Sequence, residues 1–213
     1  MNANGSVEVE TSLKSRCEWR RRFCHIGPGL LPFSLWLIPH QHPFARPLML
    51  VVFGLATVLA VTAFGCYSWI ARQADHNRVP VVIGYAASVL ALLVLFPYQP
   101  ELGLTVLAII AFGDGMATVG GLLIGGPKLP WNPKKTVAGT GTFLLCGIPL
   151  ATLVYWGEAQ PPVAIPQALA CAGGATLVGA FVESLGVPLN DNIRVGIASA
   201  ATIALLQLCV VGY

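Results

Sequence analysis

Apolar stretches about as long as a bilayer is thick recur along most of the chain, and they limit what it can fold into. A membrane-spanning helix needs about 20 predominantly apolar residues. Seven stretches approach or exceed that length: 23–39, 47–70, 79–96, 102–124, 137–156, 163–182 and 193–211. Only 10% of the 213 residues are charged, against about a quarter in soluble domains. The sequence therefore predicts an all-α, polytopic transmembrane helical bundle with about seven spans.

The beginning of the chain differs from the rest. Residues 1–12 are polar and lack the apolar core of a cleavable signal peptide, and a basic run follows them. We therefore expect two regions, a disordered basic cytoplasmic tail at 1–20 and a membrane-embedded catalytic domain at 21–213.

The basic residues predict the orientation in the membrane. With a cytoplasmic N-terminus, eleven of the 12 Lys and Arg residues fall on the cytoplasmic side and only Arg46 falls outside. Such a bias is what the positive-inside rule requires. We expect an integral protein of the cell (inner) membrane whose active site faces the cytoplasm. The opposite loops, 98–101 and 157–162, have the composition of simple connectors.

Charge and cysteine placement exclude several kinds of function. The net charge of +3 is small, and the basic residues are interspersed with apolar stretches, which excludes nucleic acid as a partner. The six cysteines are scattered and imply no disulfide framework. The chain also lacks the P-loop, the G-x-S-x-G elbow and the H-E-x-x-H metal pair.

Asp114 is the first candidate site residue, because it lies well inside the apolar stretch 102–124. A carboxylate at such a position costs about 3 kcal/mol or more unless it faces a polar cavity, a cation or a partner. Gly113 and Gly115 flank it and allow a phosphate or a metal ion to approach the backbone. A kinked helix whose acid pairs with a nearby lysine is the alternative.

The segment GGPKLPWNPKKT, residues 125–136, is a second candidate because prolines stiffen a loop that contains Lys128, Lys134 and Lys135. Lysine ammonium groups bind phosphates as point charges. Asn132 and Thr136 belong to the same segment, and Gly139 opens the next helix, where free N–H groups favour an anion. Lysines in a cytoplasmic loop also arise from topology or from contact with anionic headgroups, and this alternative stays open.

Polar residues near the last two stretches complete the candidate set. Glu183 and Asp191 supply oxygen ligands of the kind that Mg²⁺ prefers, so Asp114 with one or both could hold a metal–nucleotide complex. Asp191 and Asn192 could instead cap the last helix. At the N-terminal end, Arg22 and His25 are either headgroup-level residues or contacts to substrate or phosphate.

Three ordered motifs, FGDGMATVGG, GPKLPWNPKKTVAGT and ESLGVPLNDN, together with RRFCHIGPG near the N-terminus, resemble one membrane enzyme family. It is the CTP-dependent lipid kinase family, which contains dolichol kinase, phytol kinase and the yeast-type diacylglycerol kinase. The resemblance covers the chain from about residue 21 to its end. It implies phosphoryl transfer from CTP to the hydroxyl of a membrane lipid alcohol, with Mg²⁺ as cofactor.

The resemblance also implies roles for individual residues. Asp114 would be the metal or nucleotide acid, and Glu183 and Asp191 the late acidic element. The phosphate-binding bases would be Lys128, Lys134 and Lys135. Thr136 stands where Ser is common, Ala138 where Glu is common and Asn190 where a second Asp is common, and the last two departures remove carboxylates.

Other functions remain as alternatives. The family borders on phosphatidate cytidylyltransferases, which attack CTP at the α-phosphorus and release pyrophosphate in phospholipid biosynthesis. A small membrane transporter that uses Asp114 as a coupling acid belongs to another class, and a structural membrane protein to a third. Membrane lipids are expected partners in every case, and association into homo-oligomers stays open.

Overall fold

The computed structural model describes Trp19 and residues 22–65 and 78–212, and these residues are mostly helical. The predicted tail, 1–20, lies outside the described residues except for Trp19, as does the segment 66–77. Six main helices follow one another: α1 Arg46–Gly65, α2 Arg78–Leu95, α3 Pro100–Leu123, α4 Val137–Glu158, α5 Ile165–Ser184 and α6 Asp191–Val210.

Helices α3 to α6 are each long and apolar enough to cross a membrane, judged by length and composition. Helix α1 adds a shorter apolar segment, Arg46–Thr62, among the residues that were described. The expected bundle of apolar helices is therefore present, with four helices of spanning length among the described residues. The count of seven spans and the cytoplasmic N-terminus stay predictions.

The first apolar stretch, 23–39, does not form one long helix. Residues 22–26 are helical, Gly27–Leu30 form a 3₁₀ turn, and Leu31–Leu35 form a short α-helix. Pro28 and Pro32 each lie in the first turn of one of these pieces. Because proline has no N–H to donate, each one interrupts the hydrogen-bond ladder of a longer helix. The described helical part, 22–35, is shorter than the ~20 residues of a typical span.

Helix α3 lies at the centre of the bundle, since every residue from 101 to 113 is buried. Its middle, Ile109–Asp114, is a π-helical turn, and a second π-helical turn, Leu169–Gly173, lies in α5. A π turn inserts an extra residue into a helix and is frequent at functional sites. In α3 this turn ends at Asp114, so the irregular backbone coincides with the candidate acid.

Glycines allow α3 and α4 to approach closely. A Cβ atom on Gly113 would lie 2.6 Å from the ring of Phe143, which is completely buried in α4. On the opposing helix, a Cβ on Gly147 would lie 3.4 Å from the Cα atom of Gly113. Small residues at helix contacts are typical of membrane proteins, whose helices associate largely through close packing. Gly113 therefore serves helix packing in this structure.

A β-hairpin connects α3 to α4 and is an exception to the predicted all-α class. Strand β1, Lys128–Leu129, pairs antiparallel with β2, Asn132–Thr136, and Lys128 lies opposite Thr136. Gly125 and Gly126 precede the hairpin with φ angles of 67° and 87°. Only glycine adopts this left-handed region without steric cost. The GGPKLPWNPKKT segment is thus an ordered hairpin.

Gly113→Ala should destabilise the protein, because its methyl group would overlap the buried ring of Phe143. Overpacking of this kind costs about 1–3 kcal/mol. Gly141→Ala is the matched control, since a Cβ on this α4 glycine would meet no atom within 4 Å. We expect a lower midpoint of thermal unfolding in detergent for Gly113→Ala only. Equal midpoints for the two variants would contradict the close approach of α3 and α4.

Candidate functional site

Three carboxylates from distant parts of the sequence meet at one end of the bundle. Asp114 lies on α3, Glu183 near the end of α5, and Asp191 at the start of α6. One oxygen from each carboxylate lies within 4.8 Å of those of the other two. We call these three residues the acid cluster. Their convergence brings together three of the acids that the sequence analysis selected.

Lys135 holds two members of the acid cluster together. Its Nζ atom donates to Oε1 of Glu183 and, at 2.8 Å, to Oδ2 of Asp191. Burial lowers the pKa of Lys135, but the charges and hydrogen bonds of the two carboxylates outweigh it and raise the pKa above its ordinary value. The ammonium group therefore keeps its charge at neutral pH. Glu183 is only 3% exposed, so this contact compensates a buried carboxylate.

Arg194 is a member of the site that the sequence analysis did not select. Its guanidinium pairs with Oδ1 of Asp191 and donates to the carbonyl oxygens of Val182, at 3.0 Å, and Leu185, at 3.2 Å. These bonds tie the start of α6 to the end of α5. The signal in the sequence was the three-residue spacing from Asp191, which puts an acid and a base on the same helix face.

The hairpin is fastened to the end of α5 by polar side chains. Asn132 donates to the carbonyl oxygen of Ser184 at 3.0 Å, and Trp131 donates to the hydroxyl of the same serine at 3.2 Å. Asn132 also accepts from the backbone N–H of Lys134 at 3.1 Å. Lys135 is thereby held beside Glu183. Asn132, predicted to bind nucleotide, is buried and makes its hydrogen bonds within the protein.

Other residues predicted to bind nucleotide also make contacts inside the protein. Thr136 is the N-cap of α4 and accepts from the backbone N–H of Gly139 at 3.0 Å. A Cβ on Gly139 would lie 2.9 Å from the carbonyl oxygen of Ala117, and one on Gly115 would lie 2.7 Å from Ile26. These contacts position the start of α4 and the N-terminal segment. By contrast, the side chains of Lys128 and Lys134 are exposed to solvent.

The N-terminal segment closes one side of the acid cluster. Nε2 of His25 lies 3.3 Å from Oδ2 of Asp114 and 3.2 Å from the carbonyl oxygen of Ile110. Because both neighbours are acceptors, Nε2 is the nitrogen that donates. Arg22 is buried in the same segment. The structure therefore brings His25 of the RRFCHIGPG motif to the aspartate of the FGDG motif.

The start of α6 is capped by a different residue from those expected. The side chain of Asn190 accepts from the backbone N–H of Asn192 at 3.0 Å, which makes Asn190 the N-cap. Asp191 is consequently available to Lys135 and Arg194. The amide oxygen of Asn192 is buried without a hydrogen-bond partner among the described residues.

The acid cluster suits a hard divalent cation. Mg²⁺ binds oxygen ligands and is usually held by one or two carboxylates, several waters and substrate phosphates. Asp114 and Asp191 are partly exposed, whereas Glu183 is buried. The first two would face a metal–nucleotide complex, and Glu183 would hold Lys135 in place.

Comparison with known proteins gives relatives of one kind. The chain is 29% identical over 192 residues to "Phytol kinase 1, chloroplastic" of Arabidopsis thaliana, an alignment covering 84% of this chain and 63% of the relative. It is 28% identical to "Probable phytol kinase 1, chloroplastic" of Glycine max, over 85% and 64% of the two chains. It is also 26% identical to "Probable phytol kinase, chloroplastic" of Zea mays, over 87% and 66%. The chain is thus similar to phytol kinases over most of its length.

The sequence motifs resembled the CTP-dependent lipid kinase family, and phytol kinase is a member of that family. The similarity to phytol kinases therefore confirms the resemblance. The chain covers less than two thirds of the length of these phytol kinases. No family model matches the chain. No solved structure matches it either.

Lys135→Met should destabilise the folded protein, because it leaves the buried Glu183 without its counter-ion. Breaking a buried ion pair from one side costs about 3–5 kcal/mol. The double variant Lys135→Met/Glu183→Gln removes both charges and should recover part of this loss. Unfolding of purified protein in detergent measures both effects. A single variant as stable as the wild type would contradict the compensating role of Lys135.

Proposed function

We propose that this protein is a CTP-dependent kinase that transfers a phosphoryl group to the hydroxyl of a membrane lipid alcohol of the phytol type. The observation that carries the proposal is the acid cluster, with Lys135 between two of its carboxylates, at one end of a bundle of apolar helices. The similarity to phytol kinases supports the same reaction class.

The residues at the acid cluster suit phosphoryl transfer. This reaction needs the attacking and leaving oxygens in line and needs the charge of the transferring group to be neutralised. The bond from the γ-phosphorus to the β,γ-bridging oxygen breaks, a bond to the lipid oxygen forms, and the hydroxyl proton leaves. We assign Lys128 and Lys134, both exposed on the hairpin, to contact with the incoming triphosphate.

Mg²⁺, when bound to Asp114 and Asp191, would neutralise charge on the phosphate oxygens. Asp114 is also our candidate for accepting the hydroxyl proton, because it is partly exposed and His25 holds its orientation. Arg22 lies in the same segment and adds positive charge near this end. Asn132, Thr136, Gly113, Gly115 and Gly139 are positioning residues in this proposal, because their contacts fix the hairpin and the helices.

The location of the acid cluster suits a substrate that stays in the bilayer. The helix carrying Asp114 continues to Leu123, and Leu122, Leu123 and Ile124 are all exposed. Exposed apolar residues beside charged ones favour the boundary between lipid and water. A lipid alcohol would reach the cluster laterally, while the nucleotide arrives from the aqueous side.

We further propose that the acid cluster faces the cytoplasm of a cell (inner) membrane, with the N-terminus on the same side and about seven apolar segments in the bundle. Lysines 128, 134 and 135 lie at this end, as the positive-inside rule favours. Segment 22–35 would be the first of the seven and would enter the bundle beside α3 without crossing as a single helix.

The reaction can be tested with purified full-length protein, phytol, Mg²⁺ and CTP labelled at the γ-phosphate. We expect labelled phytyl phosphate and free CDP. Parallel assays with ATP, diacylglycerol and a polyprenol define the donor and the acceptor. Pyrophosphate release with formation of a CDP-lipid from phosphatidate would instead indicate a cytidylyltransferase, and no turnover with any pair would contradict the kinase proposal.

Asp114→Asn and Lys134→Ala should each abolish turnover and leave membrane insertion intact. For Asp114→Asn we expect a loss of at least about 10²-fold in kcat, because a positioned proton acceptor typically contributes about 10²–10⁴-fold to the rate. Arg46→Ala is the matched control for Lys134→Ala, because both are exposed bases and Arg46 begins α1 at the other end of the bundle. Wild-type rates in both site variants would contradict the assignment of the site.

A further inference from the structure

A second group of titratable side chains lies at the other end of the bundle. His40 and His42 belong to the segment before α1, Glu101 is in the first turn of α3, and Glu158 ends α4. Glu101 and Glu158 are each 1% exposed. We call these four residues the histidine cluster. Helix α4, whose 22 residues make it about 33 Å long at 1.5 Å per residue, separates the hairpin of Lys135 from Glu158.

Both imidazole rings are held through their Nδ1 atoms. Nδ1 of His40 lies 2.8 Å from the carbonyl oxygen of Ile38, and Nδ1 of His42 lies 2.9 Å from Oε2 of Glu101. A carbonyl oxygen and a carboxylate only accept, so both Nδ1 atoms carry the proton. In the neutral rings, the Nε2 atoms are therefore left with free electron pairs.

The two Nε2 atoms face the same carboxylate oxygen. Oε2 of Glu158 lies 3.1 Å from Nε2 of His40 and 3.6 Å from Nε2 of His42. Three electron-rich atoms that face one another repel unless positive charge lies among them. Nε2 of His42 and Oε1 of Glu158 are moreover buried with no hydrogen-bond partner among the described residues. The arrangement thus requires either protons on the rings or a cation between the three ligand atoms.

The distances fit a transition metal. Two ligand atoms that each lie about 2.0–2.1 Å from a tetrahedral zinc ion are about 3.3 Å apart, and the measured 3.1 Å and 3.6 Å lie on either side of this value. Two imidazoles and one carboxylate are also a ligand set that zinc accepts. We propose that His40, His42 and Glu158 form a binding site for a divalent transition-metal ion of the zinc type.

The surroundings of the cluster resemble those of metal-binding histidines. Such histidines usually donate their second ring N–H to a carboxylate or a carbonyl, which fixes the ring and increases its basicity. Glu101 and the Ile38 carbonyl provide these acceptors. The ring of Phe44 packs edge-on against both imidazoles, at centroid distances of 5.3 and 5.2 Å. The three ligand atoms, which lie within 4.8 Å of one another, are therefore held in place from behind.

The cluster attracts positive charge and has access to solvent. Two buried carboxylates, those of Glu101 and Glu158, lie beside the imidazole rings. The side chain of His40 is 11% exposed, which leaves room for a water molecule or another donor to complete the coordination. The site would tie the segment before α1 to the ends of α3 and α4.

The proposal can be tested on the purified full chain, stripped with EDTA, incubated with Zn²⁺ and freed of excess metal. We expect the wild type to retain one zinc ion per chain, measured by mass spectrometry. His42→Ala and the nearly isosteric Glu158→Gln should lose it. Glu101→Gln keeps all three ligands and should bind zinc about 10–100-fold more weakly, as usual when an acceptor behind a ligand is removed.

Asp114→Asn is the control that separates this site from the acid cluster, and it should retain zinc as the wild type does. Co²⁺ in place of Zn²⁺ gives a second readout, because its visible absorption reports nitrogen and oxygen ligands. The bands should persist in Asp114→Asn and disappear in Glu158→Gln. Wild type that retains no zinc, or zinc retained equally by His42→Ala and Glu158→Gln, would overturn the proposal. Loss of zinc in Asp114→Asn alone would assign the metal to the acid cluster.

Discussion

The contact of Lys135 with Glu183 and Asp191 is the interaction on which the rest of this end of the molecule depends. A carboxylate that is 3% exposed at the end of an apolar helix is costly unless a cation lies beside it. Lys135 can supply that cation because Asn132 and Trp131 fasten its hairpin to Ser184. The hairpin, the end of α5 and the start of α6 therefore form one unit, and Asp114 joins it through the π-helical turn of α3.

Part of this arrangement could be predicted from the sequence, because charge in an apolar chain must find partners. Asp114, Lys135, Glu183 and Asp191 stood out for that reason, and the structure brings them together. Their catalytic and metal-binding roles stay predictions. Side chains that bond the protein's own backbone were harder to predict. A polar side chain such as Thr136 has the same letter whether it binds a phosphate or caps a helix, and only the structure shows that it caps α4.

Two features escaped prediction for different physical reasons. The first apolar stretch had the composition of a span, but Pro28 and Pro32 begin new helical pieces within it. In the histidine cluster, His42 is 59 positions from Glu101 and His40 is 118 positions from Glu158, so no local sequence pattern connects them. Loops 98–101 and 157–162 looked like connectors because they contain no base. The acids of these loops, Glu101 and Glu158, contact histidines of the segment before α1.

The two polar clusters are connected through α3, which contributes a residue to each, and through α4, which runs from the hairpin to Glu158. Helix α3 carries Glu101 and Asp114, while α4 begins directly after Lys135 and ends at Glu158. Between the clusters, the close contact of Gly113 with Phe143 leaves little room for the two helices to slide. At the far ends of these helices, Nδ1 of His42 donates to Glu101 of α3, and its Nε2 lies 3.6 Å from Oε2 of Glu158 of α4. The histidine cluster thus lies at the far ends of the same two helices that lead to the acid cluster.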